Sequence, residues 1–212
     1  MKPYLTGAFV LATQPLEIEQ SSTRLNNSAY RQREHLLSVE IDILLANARM
    51  MPRNSQRNYC IVLLGYKHGL RAVEFSYLQW NSIDFTTATI FIKRAKGSDS
   101  GTHHLTGREV RELRKLQRLN EGRSPYVFLT ETGVPMASTG ISAVIKKLPV
   151  YKGKDLIGFP VHAHMLRHTC GYLLTEAGTD IRITQAWLGH REIQNTTRYT
   201  KLSSNAFKGI DI

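Results

Sequence analysis

Four of the eight residues in His162-Ala163-His164-Met165-Leu166-Arg167-His168-Thr169 have side chains that can carry positive charge. On a helix, His164 and Arg167 lie three apart and share a face, so both can reach a single anion, and His164 and His168 share that face at a spacing of four. A metal site is the rival reading. The zincin pattern needs Glu directly after the first histidine, and here that position is Met165. Neither a cysteine nor a carboxylate lies close enough in sequence to act as a third ligand, so the cluster reads as an anion site without metal. Met165 and Leu166 are expected to face the core.

Two further groups have chemically suggestive spacing. Trp187-Leu188-Gly189-His190-Arg191 is followed by Asn195-Thr196-Thr197-Arg198-Tyr199-Thr200. Gly189 predicts a helix end that leaves the His190 imidazole at a surface turn. Tyr199 by itself reads as a packed aromatic. In Gly69-Leu70-Arg71-Ala72-Val73-Glu74, Arg71 sits at a helix start with Glu74 one turn later, a spacing that also suits a simple internal ion pair.

These residues need elements to hold them. Thr13 to Arg33 is rich in Gln, Ser, Thr and Asn and reads as an arm. Folding is expected to begin near Leu37, with Ser38 as a helix cap, Glu40 and Asp42 in the first turn, and Pro52 ending the helix. A second helix is predicted from about Arg57 to His68, broken at Gly69, and a short third near Arg71. Thr89-Ile90-Phe91-Ile92 and Thr102-His103-His104-Leu105 flank a polar stretch and predict a β-hairpin with Lys96 near its tip. Helix returns from about Arg108 to Leu119, where Arg108, Arg111, Arg114, Lys115 and Arg118 form a solvated basic face. Tyr126 to Leu129 reads as a short strand, Ser138 to Leu148 as a helix, and the remainder from His162 as helical with breaks at Gly178 and Gly189. The fold class is therefore mainly α with a small antiparallel β-sheet.

Composition narrows the partner. Lys and Arg number 28 against 17 Asp and Glu, a formal net charge of +11, which excludes an acidic protein and predicts a polyanion, nucleic acid before membrane. No stretch approaches the roughly 18 apolar residues of a membrane span. The initial Met1 to Ala12 lacks a secretory pattern, so export is not expected. Cys60 and Cys170 read as reduced core residues. Walker-type loops, Gly-x-Gly-x-x-Gly and Cys-x-x-Cys pairs are missing from the sequence, which leaves ATP-driven and dinucleotide chemistry without support.

Taken in order, Arg71 in Gly-Leu-Arg-x-x-Glu, Lys96 in the hairpin, His164-x-x-Arg167, Leu-Gly-His190 and Thr196-x-x-Tyr199 resemble the catalytic set of the tyrosine recombinases, or phage-type integrases. The resemblance runs from about Leu37 to Thr200. Within the family, the short length and the run from His162 to Gly171 look most like the fimbrial phase-variation recombinases, which invert a promoter-bearing DNA segment. The resemblance implies the tyrosine recombinase catalytic-domain fold in residues 37–212, with a C-terminal tail after the nucleophile, and an arm, 1–36, that orders on DNA or on a neighbouring subunit. It implies Tyr199 as nucleophile forming a 3′-phosphotyrosine, Lys96 as general acid with Lys93 its nearest rival, and His164 as proton acceptor. Arg71, Arg167 and His190 would hold the phosphate and Glu74 would orient Arg71. Neither metal nor cofactor is called for.

The implied partners are double-stranded DNA carrying inverted-repeat recombination sites, further copies of the chain in a homotetramer on DNA, and DNA-bending accessory proteins, all in the cytoplasm at the nucleoid. Other readings of the same residues are an integrase or excisionase of a mobile element, a type IB topoisomerase, and a non-catalytic DNA-binding regulator with this fold.

Overall fold

The computed structural model describes residues 34–120, 122–148, 157 and 159–200. The arm before residue 34 and the tail after Thr200, with Phe207 and Ile210, lie outside the described residues. Helix α1 spans Ser38–Met50 and α2 spans Ser55–His68. Ser38 is the first residue of α1 rather than its cap. Leu37, in extended backbone, takes that place, because the Glu40 carboxylate accepts the Leu37 N–H at 2.7 Å and satisfies the first orphan donor. Leu36, assigned to the arm by the sequence, is fully buried in the core and donates its N–H to Thr169 Oγ1 at 2.8 Å.

Helix α2 is the centre of the domain. Tyr59 to Gly65 is buried on every face, so its apolar run has no amphipathic stripe, as expected of a helix surrounded by others. It packs against α1, against α4 (Gly107–Leu119), α5 (Ser138–Lys147) and α6 (Ala163–Glu176). The short α3 spans Ala72–Tyr77, with Arg71 immediately before it in extended backbone. In α4 the basic face is as the sequence predicts: Arg108, Arg111, Arg114, Lys115 and Arg118 are all exposed, while Leu113 and Leu116 are buried.

A three-stranded antiparallel sheet follows α3, with β1 (Ile83–Asp84), β2 (Thr89–Ile92) and β3 (Gly101–His104) in that spatial order. The β2–β3 register pairs Ile90 with His103 and Ile92 with Gly101. Ile90 and Ile92 point into the core and Phe91 outward, as period-two alternation requires. The hairpin matches the expectation from sequence, and β1 extends it. Tyr126 to Leu129 does not form a strand. Its ends make two separate bridges, Gln79 to Tyr126 and Leu129 to Pro135, so Val127 and Phe128 are buried by a crossing segment that never finds one continuous partner.

Helices α7 (Ile181–Leu188) and α8 (Gln194–Thr200) complete the domain, with breaks at Gly178 and Gly189 as the sequence predicts. Cys170 on α6 packs with Leu188 and Tyr199, and Leu174 and Trp187 border this small cluster. It fixes the last two helices on α6. Both cysteines are free and buried, and burial pushes each thiol up to about 12. None of the described helices is long and apolar enough to cross a membrane.

Candidate active site

Helix α6 presents His164, Arg167 and His168 on one face, at the i, i+3 and i+4 spacing read from sequence. One turn further along that face comes Gly171, and its missing side chain is used. A Cβ there would sit 2.6 Å from the Tyr199 ring, so only glycine lets α8 lay its tyrosine flat against α6. Tyr199 is 2% exposed, and its hydroxyl lies 3.1 Å from His168 Nδ1. Burial raises the phenol above its ordinary value, against the pull of Arg167 and Arg198.

Gly189 ends α7 with φ 70°, a left-handed backbone that turns the chain sharply into His190. The His190 ring lies parallel to that of Tyr199, 13° between planes and 6.5 Å between centroids, and its Nδ1 is 2.9 Å from Thr196 Oγ1 on α8. Burial, then Arg167 and Arg71, lowers its pKa to about 4, so at neutral pH it is an uncharged imidazole.

Arg167 is 2% exposed and donates from Nη1 to the Gly69 carbonyl at 2.5 Å and from Nη2 to the Leu188 carbonyl at 2.6 Å. These bonds tie the end of α2 to the end of α7 through a side chain of α6. Burial and the neighbouring Arg71 and Arg94 lower its pKa to about 10, which leaves it charged at neutral pH. Arg71 is held differently. Its Nη1 donates to Glu74 Oε1 and to Ser98 Oγ, both at 2.9 Å, and its backbone N–H donates to Glu74 Oε2.

Glu74 is a hub rather than a simple ion-pair partner. Besides Arg71, it accepts from Arg94 Nη1 at 2.8 Å and from the Ala95 N–H at 3.1 Å. Burial would push its carboxyl upward, but Arg94 and the backbone donors outweigh that and hold it below its usual value. Arg94 also donates to the carbonyls of Gly69 (3.2 Å), His68 (2.9 Å) and Trp187 (2.6 Å).

The 93–100 loop closes the site from the sheet side. Ser98 forms an isolated bridge with His190, the Asp99 N–H donates to the Gly189 carbonyl at 3.1 Å, and Asp99 pairs with Arg191 at 3.2 Å. Lys96 is exposed on this loop, as is Lys93.

Arg71, His164, Arg167, His168, His190, Asn195, Arg198 and Tyr199 together line a cavity of about 190 Å³. Five of the six positions picked from sequence thus meet in one place, and Lys96 stands outside the lining on the adjacent loop. With three guanidinium groups and no carboxylate in its wall, the cavity suits a small anion. Among the described residues no group of three or more His, Cys, Asp or Glu is placed to hold a metal ion.

Sequence reasoning did not include His168, Arg94 or Arg198 in the site. His168 carried a signal, the i+4 relation to His164 beside Arg167. Arg94 carried none, because nothing in a hairpin sequence announces that an arginine will turn inward.

The phage integrase family model matches residues 34–206. The chain belongs to the phage integrase family. Among its relatives in this family, the type 1 fimbriae regulatory protein FimB of Escherichia coli K12 is 35% identical over 189 residues, covering 87% of this chain and 92% of that protein. FimE of the same strain is 32% identical, covering 84% and 91%. Tyrosine recombinase XerC of Lacticaseibacillus casei is 27% identical, covering 94% of this chain and 67% of that protein.

Among solved structures, the XerA recombinase superposes with a TM-score of 0.71 at 25% identity, covering 82% of this chain and 62% of the XerA chain. The Tn1549 transposon integrase, solved with transposon right-end DNA, shares the fold at a TM-score of 0.66 and 19% identity. The fold of this phage integrase family member is that of the tyrosine recombinase catalytic domains.

Proposed function

We propose that this protein is a site-specific DNA recombinase that cuts and rejoins DNA through a 3′-phosphotyrosine, and that its reaction inverts a promoter-bearing segment in fimbrial phase variation. The observation that carries the chemistry is Tyr199 lining one cavity with Arg71, Arg167 and Arg198. The likeness to FimB and FimE, both named as type 1 fimbriae regulatory proteins, supports the fimbrial part of this reading.

In this reading a DNA phosphodiester enters the cavity and Tyr199 attacks phosphorus. Negative charge grows on the non-bridging oxygens in the transition state, where preorganised donors contribute most. A guanidinium has five N–H donors. Arg167 directs one hydrogen from each Nη to backbone carbonyls, so its remaining three and the Nε and Nη2 of Arg71 are the donors for phosphate, joined by His190. Those backbone bonds keep Arg167 in place before DNA arrives, which removes reorganisation from the barrier. The 5′-hydroxyl leaves with a proton from Lys96, whose side chain is exposed on the 93–100 loop beside the cavity. The phosphotyrosine conserves the bond energy for rejoining, so neither ATP nor a divalent cation is required.

The same reading takes residues 37–212 as the catalytic domain, with Glu34 to Leu36 of the preceding arm packed onto it. It takes double-stranded DNA with inverted-repeat sites as substrate, a homotetramer as the exchanging assembly, DNA-bending proteins as accessories, and the cytoplasm as location. A second reading, an integrase or excisionase of a mobile element, would use identical chemistry.

The test begins by mapping the bound site by footprinting on the DNA flanking the protein's own gene, then building a nicked duplex on that site. In EDTA, the wild type is expected to form a denaturant-resistant protein–DNA adduct and Tyr199→Phe none. An adduct that persists in Tyr199→Phe removes Tyr199 as nucleophile.

A further inference from the structure

We propose that His168, backed by the carboxylate of Glu34, is the group that takes the proton from Tyr199 as it attacks phosphorus. The proposal rests on the recombinase reading above and replaces His164 in the acceptor role. A phenol has one proton, and a buried one must give it to an acceptor. The acceptor here is His168 Nδ1, at 3.1 Å. His164 is exposed at the start of α6, and its ring meets that of His168 edge-on, 77° between planes and 5.1 Å between centroids. That location places His164 at the cavity mouth, where an incoming phosphate arrives.

Accepting at Nδ1 requires the tautomer protonated at Nε2. The Glu34 carboxylate, 3.9 Å from Nε2, is beyond hydrogen-bond length but favours a proton on that nitrogen by charge. An acid, an imidazole and a hydroxyl therefore stand in series, an order in which the carboxylate orients the ring and stabilises the imidazolium once it forms. Glu34 is held there by three neighbours on α6 and α8. Arg198 pairs with its Oε2 at 3.2 Å, the next residue, His35, stacks on Tyr172 at 3.9 Å, and Leu36 is bonded to Thr169.

Without DNA the base is weak. Burial first, then Arg198, His164, Arg167 and His162, lower the pKa of His168 to about 3. Arg71 and Arg167 face the same cavity. A phosphate among these cations offsets their repulsion of an imidazolium, so substrate binding itself strengthens the base.

The proton inventory is complete. The Tyr199 O–H bond breaks as Nδ1–H forms, the Oη–P bond forms as P–O5′ breaks, and O5′ takes its proton from Lys96. In rejoining, the 5′-hydroxyl attacks, its proton returns to Lys96, and the imidazolium protonates the departing phenolate. Glu34 acts through His168 and is a positioning residue.

The experiment follows adduct formation in single turnover on the nicked duplex used above, with DNA affinity and circular dichroism measured for each variant. His168→Gln is expected to slow adduct formation by about 10²–10⁴, the usual range for removing a general base, at unchanged DNA affinity. His168→Ala is expected to regain rate in added imidazole. A substrate with a bridging 5′-phosphorothiolate, whose thiolate leaves unprotonated, is expected to rescue Lys96→Ala and not His168→Gln. Glu34→Gln is expected to slow the reaction less and to move the rising limb of its pH–rate profile to lower pH, since an imidazolium without its carboxylate is more acidic. A folded, DNA-binding His168→Gln that cleaves at the wild-type rate overturns the proposal, as does a folded His168→Ala that imidazole does not restore. An adduct in the Tyr199→Phe control removes instead the recombinase reading on which the proposal stands.

Discussion

Arg71 and Arg167 are proposed to hold the same phosphate, but their surroundings differ enough to separate them experimentally. The Arg71 side chain is 26% exposed and is anchored through one nitrogen, whereas Arg167 is buried and bonds two backbone carbonyls, that of Leu188 alone and that of Gly69 together with Arg94. Arg71→Ala is therefore expected to keep the wild-type melting temperature and lose roughly 10²–10³ in cleavage rate, the loss seen when one transition-state donor is removed. Arg167→Ala is expected to lose as much rate and also to destabilise the fold, by about 1.5–3 kcal/mol for each charged hydrogen bond removed. Urea unfolding of the two variants checks the difference. Spacing made both arginines legible as an anion-binding pair, yet not this asymmetry. It depends on Gly69 and Leu188, whose carbonyls meet Arg167 only after α2, α6 and α7 have packed.

Among the elements, the β2–β3 hairpin and α7 were legible because each has a patterned or punctuated sequence: the β-branched and aromatic run Thr89 to Ile92, and the stop at Gly189. The 126–129 segment was misread as a strand because β-branched and aromatic residues fit any half-buried crossing chain, and pairing is a property of the partner. Arg94 was illegible for the opposite reason. An arginine in a hairpin is ordinarily exposed, and its burial follows from Glu74 and three carbonyls arriving from other elements. Arg94→Met is expected to leave the Glu74 carboxylate buried without its main cation and to cost about 3–5 kcal/mol in urea unfolding. The double variant Arg94→Met with Glu74→Gln should recover part of that loss. At the α6–α8 contact, Gly171→Ala is expected to push the Tyr199 ring off α6 and suppress adduct formation, with DNA affinity retained.

On the scale of the whole molecule, the buried His103 of β3 and His168 of α6 and the half-buried His190 after α7 share one tendency. Burial is the first cause of lowering for His103, His168 and His190, to about 3, 3 and 4. An unfolded chain takes up protons at these positions near pH 6.5, and the folded one does not. Stability is therefore expected to be full above pH 6.5 and to fall as pH drops toward 4, with a slope of about 1.4 kcal/mol per pH unit for each proton taken up only by the unfolded chain. Urea midpoints measured across that range test it. The net charge of +11 divides along similar lines. The exposed basic face of α4 would contribute counterion release, so neutralising one of its arginines in contact with DNA should reduce the salt slope by about 0.9 and leave single-turnover cleavage intact. The total charge was legible from composition; which cations converge on the cavity depended on the packing of α6 and α8.

Tyr199 lies against α6 of its own chain, within the cavity walled by that chain's Arg71 and Arg167. On the proposed reading each copy therefore cuts with a tyrosine and arginines of its own. In a genetic setting the two kinds of defect belong to one complementation group: co-expressed Tyr199→Phe and Arg71→Ala proteins cannot restore each other, and either one, produced in excess beside the wild type, acts as a dominant inhibitor of switching.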